Sequence, residues 1–203
     1  MNKRKNHWPV ILLAIIVGML CIVNLPVWMS GLGGDVHPQL APLEFKSPEE
    51  FAKYERQAKT GTVSFYYIPS QLPEGFKLKS ISKRDDVYVS VAYTVELPKE
   101  STSDLTSYAV ERMSTLICQY YLFEDGNVTL QGGFLNNGFR EMEYNGRTIY
   151  VDEEYDTFGN PKQLIGYEIA FLADGQLVYM HLPALDTFET MMQYANVVKV
   201  ELG

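Results

Sequence analysis

The stretch Val87-Tyr88-Val89-Ser90-Val91-Ala92-Tyr93-Thr94-Val95 decides the fold class, because an apolar side chain stands at every second position. A period of two gives a β-strand one apolar face, whereas a helix needs a period near 3.6. Residues 76–83 are the expected partner strand, and Arg84-Asp85-Asp86 connects the two. The sequence therefore predicts an antiparallel hairpin at this point.

More strands are predicted downstream of this hairpin, separated by short turns. Asn145-Gly146 and Asp174-Gly175 suit type I′ turns, in which both central residues need a positive φ. A longer turn is predicted at Glu124-Asp125-Gly126-Asn127. The strands are expected at residues 115–123, 128–134, 140–144, 147–155, 163–172 and 176–182. Short connections of this kind favour a meander sheet.

A helix is predicted before the strands and another after them. Ser47 is placed to cap the first helix, with Pro48 at its first position and Glu50 completing a capping box. Its apolar face would consist of Phe51, Tyr54 and Ala58, and Gly61 would end it. Asp186 and Glu189 form a similar box for the last helix, whose sheet-facing residues would be Phe188, Met191, Met192 and Ala195. The expected class is α+β, an antiparallel meander sheet with terminal helices packed on it.

The N-terminal segment has the properties of a membrane span. Residues 6–34 contain no Asp, Glu, Lys or Arg, and residues 10–23 are apolar without interruption. A helix over residues 8–28 would reach about 31 Å, which matches a hydrocarbon core of about 30 Å. Trp8 and Trp28 would lie at the two interfaces, and Lys3-Arg4-Lys5 would stay in the cytoplasm.

These features predict that the chain has four parts: a cytoplasmic tail (1–7), a transmembrane helix (8–28), a tether (29–46) and an extracytoplasmic domain (47–203). Cleavage of the segment as a signal peptide after Gly33 would instead give a secreted domain. Cys21 lies in the span and Cys118 in the domain, so the anchored chain is not expected to form an internal disulfide. Every Asp and Glu lies at or beyond Asp35, and such an acidic domain is not expected to bind nucleic acid.

Few residues of the domain are suited to catalysis. His181 and Cys118 both lie in apolar strand segments, and such residues are usually structural. Asp152-Glu153-Glu154-Tyr155-Asp156 has alternating oxygen ligands, but Thr157 and Gln163 stand where a calcium loop needs Gly and Glu. The run is therefore expected to be a solvated strand end. No catalytic, cofactor-binding or metal-binding residue is predicted, and a cell-envelope hydrolase that uses His181 and carboxylates is the alternative.

The segment Tyr67-Ile68-Pro69-Ser70-Gln71-Leu72-Pro73-Glu74-Gly75-Phe76 resembles the start of the domain of unknown function 4367 family. The Asn145-Gly146 turn before Ile149-Tyr150-Val151 and the hairpin at Asp174-Gly175 agree with this resemblance. It implies an extracytoplasmic domain of a Gram-positive membrane protein. Relatives in that family include membrane-anchored anti-sigma factors, but a tail of about seven residues is too short to hold a sigma-binding domain.

Tyrosine is abundant, with 14 residues that include the pairs Tyr66-Tyr67 and Tyr120-Tyr121. Adjacent residues on a strand point to opposite faces, so part of this set must point away from the main core. The rings would be covered by helices or would form a binding face for a protein or glycan. The expected function is membrane-anchored, extracytoplasmic binding, sensing or scaffolding at the cell envelope, without catalysis.

Overall fold

The computed structural model describes residues 41–58, 63–84, 87–99, 102–122, 137–158 and 162–202. The unit described below is Pro42–Gly203. The predicted cytoplasmic tail, transmembrane helix and most of the tether lie outside the described residues, as do the predicted turn at 124–127 and the strand at 128–134. Within the described ranges, no helix combines the length and hydropathy that a bilayer crossing requires.

Ten strands and three α-helices make up the described part of this unit. The helices are α1 (Pro48–Gln57), α2 (Ser107–Met113) and α3 (Phe188–Met192), and a 3₁₀ turn at Gln193–Ala195 follows α3. The strands are β1 (Leu43–Phe45), β2 (Phe65–Pro69), β3 (Lys77–Arg84), β4 (Tyr88–Thr94), β5 (Thr115–Tyr121), β6 (Arg140–Tyr144), β7 (Arg147–Asp156), β8 (Gln163–Ala173), β9 (Gln176–Pro183) and β10 (Val197–Glu201).

The described strands form one eight-stranded sheet in the order β1-β3-β4-β5-β9-β8-β7-β6, while β10 and β2 pair separately. Every neighbouring pair is antiparallel. The predicted antiparallel α+β sheet is confirmed, and its two halves, β3-β4-β5 and β6-β7-β8-β9, are meanders. The halves join where β5 pairs with β9, with Cys118 opposite Met180. The sheet is therefore not one continuous meander.

The two type I′ turns fix the register of their hairpins as predicted. Asn145 and Gly146 have φ values of 51° and 75°, and Asp174 and Gly175 have values of 50° and 78°. In each turn both residues occupy the left-handed region, which asparagine, aspartate and glycine tolerate best.

One face of the sheet, called the core face below, carries the main core. Val89, Val91 and Tyr93 of β4 all point into it, so the alternation in the deciding stretch is confirmed. Phe51 of α1 and Met191 of α3 belong to the same buried cluster, which also takes in β2. Both predicted terminal helices therefore pack on this face.

The caps of the two terminal helices differ partly from the prediction. Ser47 Oγ accepts the Glu50 N–H at 3.2 Å, as expected for a cap, but Glu50 accepts the N–H of Lys46 at 2.7 Å. At α3 the cap is Thr187, whose hydroxyl accepts the Thr190 N–H, and not Asp186. The Asp186 carboxylate accepts the Thr187 N–H instead, one residue too early to reach the helix.

Four elements were not predicted. Leu43–Phe45, which the sequence predicts to be part of the tether, pairs with β3, and Phe45 packs on Phe51 with ring centroids 5.2 Å apart. The chain also continues beyond the last helix into β10, which pairs with the second unpredicted strand, β2. Helix α2 is the fourth. All four are short, with weak periodicity of their own, and tertiary contacts decide their structure.

Candidate functional site

The site lies on the face of the sheet opposite the core face, called the second face below. Tyr150, Ala170 and Leu177 form a smaller apolar cluster there. Side chains two or four residues apart on a strand lie on the same face. Each residue of this cluster therefore has a polar neighbour on its own strand that lies on the second face: Glu154 on β7 with Tyr150, Glu168 on β8 with Ala170, and His181 on β9 with Leu177. Glu168 pairs directly with His181 across β8 and β9. The strand register alone therefore gathers two carboxylates and an imidazole on the second face.

Helix α2 lies over these three residues and is held by its cap. Thr106 Oγ1 accepts the Ala109 N–H at 3.1 Å and donates to Asp156 Oδ2 at 2.8 Å. Asp156 is 1% exposed, and its Oδ1 accepts the Phe158 N–H at 3.0 Å. The end of β7 therefore fixes the start of α2, and Ala109 is the residue of the helix that is buried.

Arg112 of α2 is the centre of the cluster. Its Nε lies 3.0 and 2.9 Å from the two carboxylate oxygens of Glu154. Its Nη2 donates to Glu154 Oε2 at 2.7 Å and to Glu168 Oε1 at 3.0 Å. The same Nη2 lies 2.8 Å from His181 Nδ1. Tyr108, one turn earlier on α2, donates its hydroxyl proton to Glu154.

The hydrogen bonds of His181 fix the orientation of its ring. The ring is fully buried, and its Nε2 lies 3.0 Å from the carbonyl oxygen of Arg112. A carbonyl can only accept, so Nε2 carries a proton. Nδ1 lies 2.8 Å from Arg112 Nη2 and 3.2 Å from Glu154 Oε2. Both ring nitrogens are therefore engaged inside the site, and the structural role predicted for His181 agrees with these bonds.

The charges of the cluster stabilise one another. Burial raises the pKa of the Glu154 carboxyl, but contacts with His181, Arg112 and Tyr108 outweigh burial and lower this pKa to about 2. Burial lowers the pKa of Arg112, and the neighbouring Glu154 reverses this effect and raises it. Burial and Glu168 both raise the pKa of the Tyr179 hydroxyl. One guanidinium therefore faces two carboxylates at the centre of the cluster.

Gly166 of β8 makes room for the histidine ring. A Cβ atom at Gly166 would lie 2.2 Å from His181 Cε1 and 3.0 Å from Nδ1. Real Cβ atoms are not found at such separations, so position 166 must lack a side chain while His181 keeps its rotamer. The backbone of β8 therefore forms the floor of the imidazole pocket.

The acidic run 152–156 is not uniformly solvated, which corrects the prediction from the sequence. Because side chains alternate along a strand, Glu153 lies on the same face as Tyr155. The Glu153 carboxylate accepts a hydrogen bond from the Tyr155 hydroxyl at 2.6 Å. Glu154 and Asp156 point to the second face, where α2 covers them, and the side chain of Glu154 is 14% exposed. The sequence alone predicts a solvated run, because Arg112 and Thr106, the partners of Glu154 and Asp156, are more than 40 residues away.

Cys118 and His181 do not form a catalytic pair. Cys118 belongs to the core-face cluster, whereas His181 points to the second face. Burial raises the pKa of the Cys118 thiol to about 12, which keeps it protonated. The thiol is 1% exposed and is a core residue, as the sequence predicts.

The Leu72-Pro73-Glu74-Gly75-Phe76 turn leads into β3, at the end of that strand away from the residues that pair with β1. Phe76 is buried, Leu72 packs on the core, and Gly75 has a φ of 83°. These positions give the turn a structural role at the entry to the sheet. Gly75 also lines a shallow cleft of about 400 Å³ with Lys77, Thr94, Val95 and Glu96.

Comparison with known proteins gives no match among family models, curated proteins or solved structures. The resemblance to the domain of unknown function 4367 family therefore stays a prediction.

Arg112, Tyr108 and Glu168 are parts of the site that the sequence did not predict. One signal was present for Glu168: it lies within Ile165-Gly166-Tyr167-Glu168-Ile169, where a charged side chain interrupts an apolar strand. A charge in that position requires a partner. The partner could not be identified, because Arg112 belongs to a helix that the sequence did not reveal.

Proposed function

We propose that this chain is a single-pass membrane protein with a cytoplasmic N-terminus, whose extracytoplasmic domain binds a protein or glycan at the cell envelope without catalysis. The charge-free segment 6–34, preceded by Lys3-Arg4-Lys5, supports the anchor and its orientation. The binding role is supported by aromatic side chains on the second face of the sheet.

The observation that carries the binding role is the tyrosine patch, defined as Tyr88, Ser90, Gln119 and Tyr121. Tyr88 pairs with Tyr121 and Ser90 with Gln119 across β4 and β5. The two rings meet edge to face with centroids 6.2 Å apart, and both side chains are half-buried. Rigid rings that combine apolar area with a polar hydroxyl are typical of protein interfaces and also suit contact with sugars.

The chemistry of the two candidate catalytic residues supports a role without catalysis. Both ring nitrogens of His181 are engaged by Arg112, so neither is available to a substrate in this arrangement. Cys118 lies on the other face of the sheet with a raised pKa. A hydrolase would have to release His181 from Arg112 first.

Topology is tested by adding protease to intact cells that express the full chain with an epitope at its C-terminus. We expect the epitope to be lost from intact cells while a cytoplasmic control protein survives. An epitope that is digested only after lysis would contradict the proposed orientation. A soluble product that begins near Gly34, identified by its N-terminal residue, would show the secreted form instead.

Binding is tested by cross-linking the full chain in its membrane and by cosedimentation of the purified chain with isolated cell-wall glycan. We expect Tyr88→Ala and Tyr121→Ala to reduce the specific product or the retained fraction at least tenfold. Tyr54→Ala is the matched control, because Tyr54 is 39% exposed on α1, on the core-face side of the sheet. Equal reduction by all three variants, or by none, would refute the role of the tyrosine patch.

A further inference from the structure

Three metal-ligating side chains of the second face converge on one point. The donor triad, defined as Glu154, Glu168 and His181, offers one ligand atom from each residue, and these atoms lie within 4.8 Å of one another. We propose that the donor triad is a binding site for a divalent transition metal ion of the zinc class, and that the Arg112 guanidinium and the metal compete for it.

The position of Arg112 Nη2 supports this proposal. This single atom lies 2.7 Å from Glu154 Oε2, 3.0 Å from Glu168 Oε1 and 2.8 Å from His181 Nδ1. Ligand distances to Zn²⁺ are about 2.0–2.2 Å for carboxylate oxygen and imidazole nitrogen. Each donor would therefore move by less than about 1 Å to coordinate an ion at the place that Nη2 occupies.

The donor set and its supporting bonds suit a metal. Imidazole and carboxylate are common zinc ligands, and three protein ligands leave a fourth position for water. A ligating histidine usually donates its other N–H to a carbonyl or carboxylate, which orients its lone pair. His181 already donates Nε2–H to the backbone carbonyl of Arg112, an interaction that does not depend on the Arg112 side chain.

Charge and access favour an exchange between the two cations. With His181 neutral, as a metal ligand must be, the donor triad has a charge of −2, which the guanidinium neutralises by half and a divalent ion would neutralise fully. The Arg112 side chain is 19% exposed and Glu168 is 26% exposed, so the guanidinium has a path to solvent without unfolding of the sheet. Metal binding would break the Arg112–Glu154 bonds and supply stronger ones in their place.

The test is a Zn²⁺ titration of the purified, untagged full chain in detergent, with competition against a chromophoric zinc chelator. We expect one saturable equivalent in the wild-type chain. Arg112→Met keeps an aliphatic side chain but removes the competing cation, so affinity should rise at least tenfold. His181→Gln and Glu168→Gln should each weaken binding at least tenfold, in the wild-type and the Arg112→Met backgrounds.

Arg140→Met is the matched control, since Arg140 forms an exposed ion pair with Glu153 outside the triad. It should bind Zn²⁺ as the wild-type chain does. Circular dichroism verifies that every variant is folded, and the visible spectrum of bound Co²⁺ reports directly on the ligand set. Saturable binding that His181→Gln leaves unchanged would place the ion elsewhere, for example at His37, and would overturn the proposal. Binding by Arg112→Met but not by the wild-type chain would also overturn it, since Arg112 would then be a permanent occupant.

Discussion

Gly166→Ala is the substitution for which the structure makes its sharpest prediction. The added Cβ would lie 2.2 Å from His181 Cε1, where carbon atoms in contact need about 3.5–4.0 Å. The ring cannot move aside by this amount while it keeps its bonds to Arg112 on both nitrogens. The new methyl group must therefore displace either the ring or strand β8.

The expected loss of stability is the sum of two costs that relieving this clash incurs. Overpacking of a buried site costs about 1–3 kcal/mol. Displacing the ring also breaks two hydrogen bonds inside a charged cluster, at about 1–2 kcal/mol each. We therefore expect a loss of roughly 3–7 kcal/mol in the free energy of unfolding, which for a domain of this size lowers Tm by about 10–20 °C.

Urea unfolding of the full chain, followed by far-UV circular dichroism, measures this loss. Tryptophan fluorescence is unsuitable, since both tryptophans precede Pro42. A double-mutant cycle with His181→Ala isolates the cause: without the ring, Gly166→Ala should cost less than about 1 kcal/mol, because the clashing atoms are gone. An equal cost in both backgrounds, or a neutral Gly166→Ala in the wild-type chain, would refute the steric argument.

Three further predictions concern buried charges and the cap of α2. The pKa of Glu154 in the folded protein is about 2, below its ordinary value of 4.5. Its contribution to stability is therefore complete above pH 5 and is lost as pH falls towards 2. Glu154→Gln should remove about 2–3 kcal/mol of this pH dependence, measured by urea titrations at pH 2–7. Lys83→Met should lower the free energy of unfolding by about 3–5 kcal/mol, because it leaves the buried Glu55 carboxylate, 2.9 Å from Lys83 Nζ, without its cation. Adding Glu55→Gln should recover most of this loss. If stability is not recovered, the argument from the buried charge is wrong. Thr106→Val should lower the free energy of unfolding by about 1–2 kcal/mol, because it removes the helix cap and the hydrogen bond to Asp156. Thr106→Ser keeps the hydroxyl and should be nearly neutral. Equal losses of stability in the two variants would exclude the hydroxyl as the cause.

The hairpins could be predicted from sequence because their signals are local. The period of two in the deciding stretch, and the Asn-Gly and Asp-Gly turns, each specify structure within a few residues. The pairing of β5 with β9 has no such signal, since it joins positions such as Ile117 and His181. The sequence therefore specified the hairpins, whereas the junction between the two meanders depends on which apolar faces bury each other best.

The site could not be predicted because its members are far apart in sequence and belong to different elements. Arg112 is 42 residues from Glu154, 56 from Glu168 and 69 from His181. His181 and the acidic run 152–156 stand out separately in the sequence, and local rules predict a structural histidine and a solvated run. The local rules failed for Glu154 and Asp156, since burial of a carboxylate depends on a partner that the fold supplies.

Helix α2 and the charged cluster depend on each other. A seven-residue helix is too short to be stable alone in water, and Ala109 is the residue of α2 that is buried. Its attachment to the sheet therefore rests on polar contacts: the Thr106–Asp156 bond at one end and the Arg112 ion pairs at the other. Because the same guanidinium holds the helix and fills the centre of the donor triad, any cation that replaces it would loosen the C-terminal end of α2. Occupancy of the triad and the position of α2 on the second face are consequently coupled by one side chain.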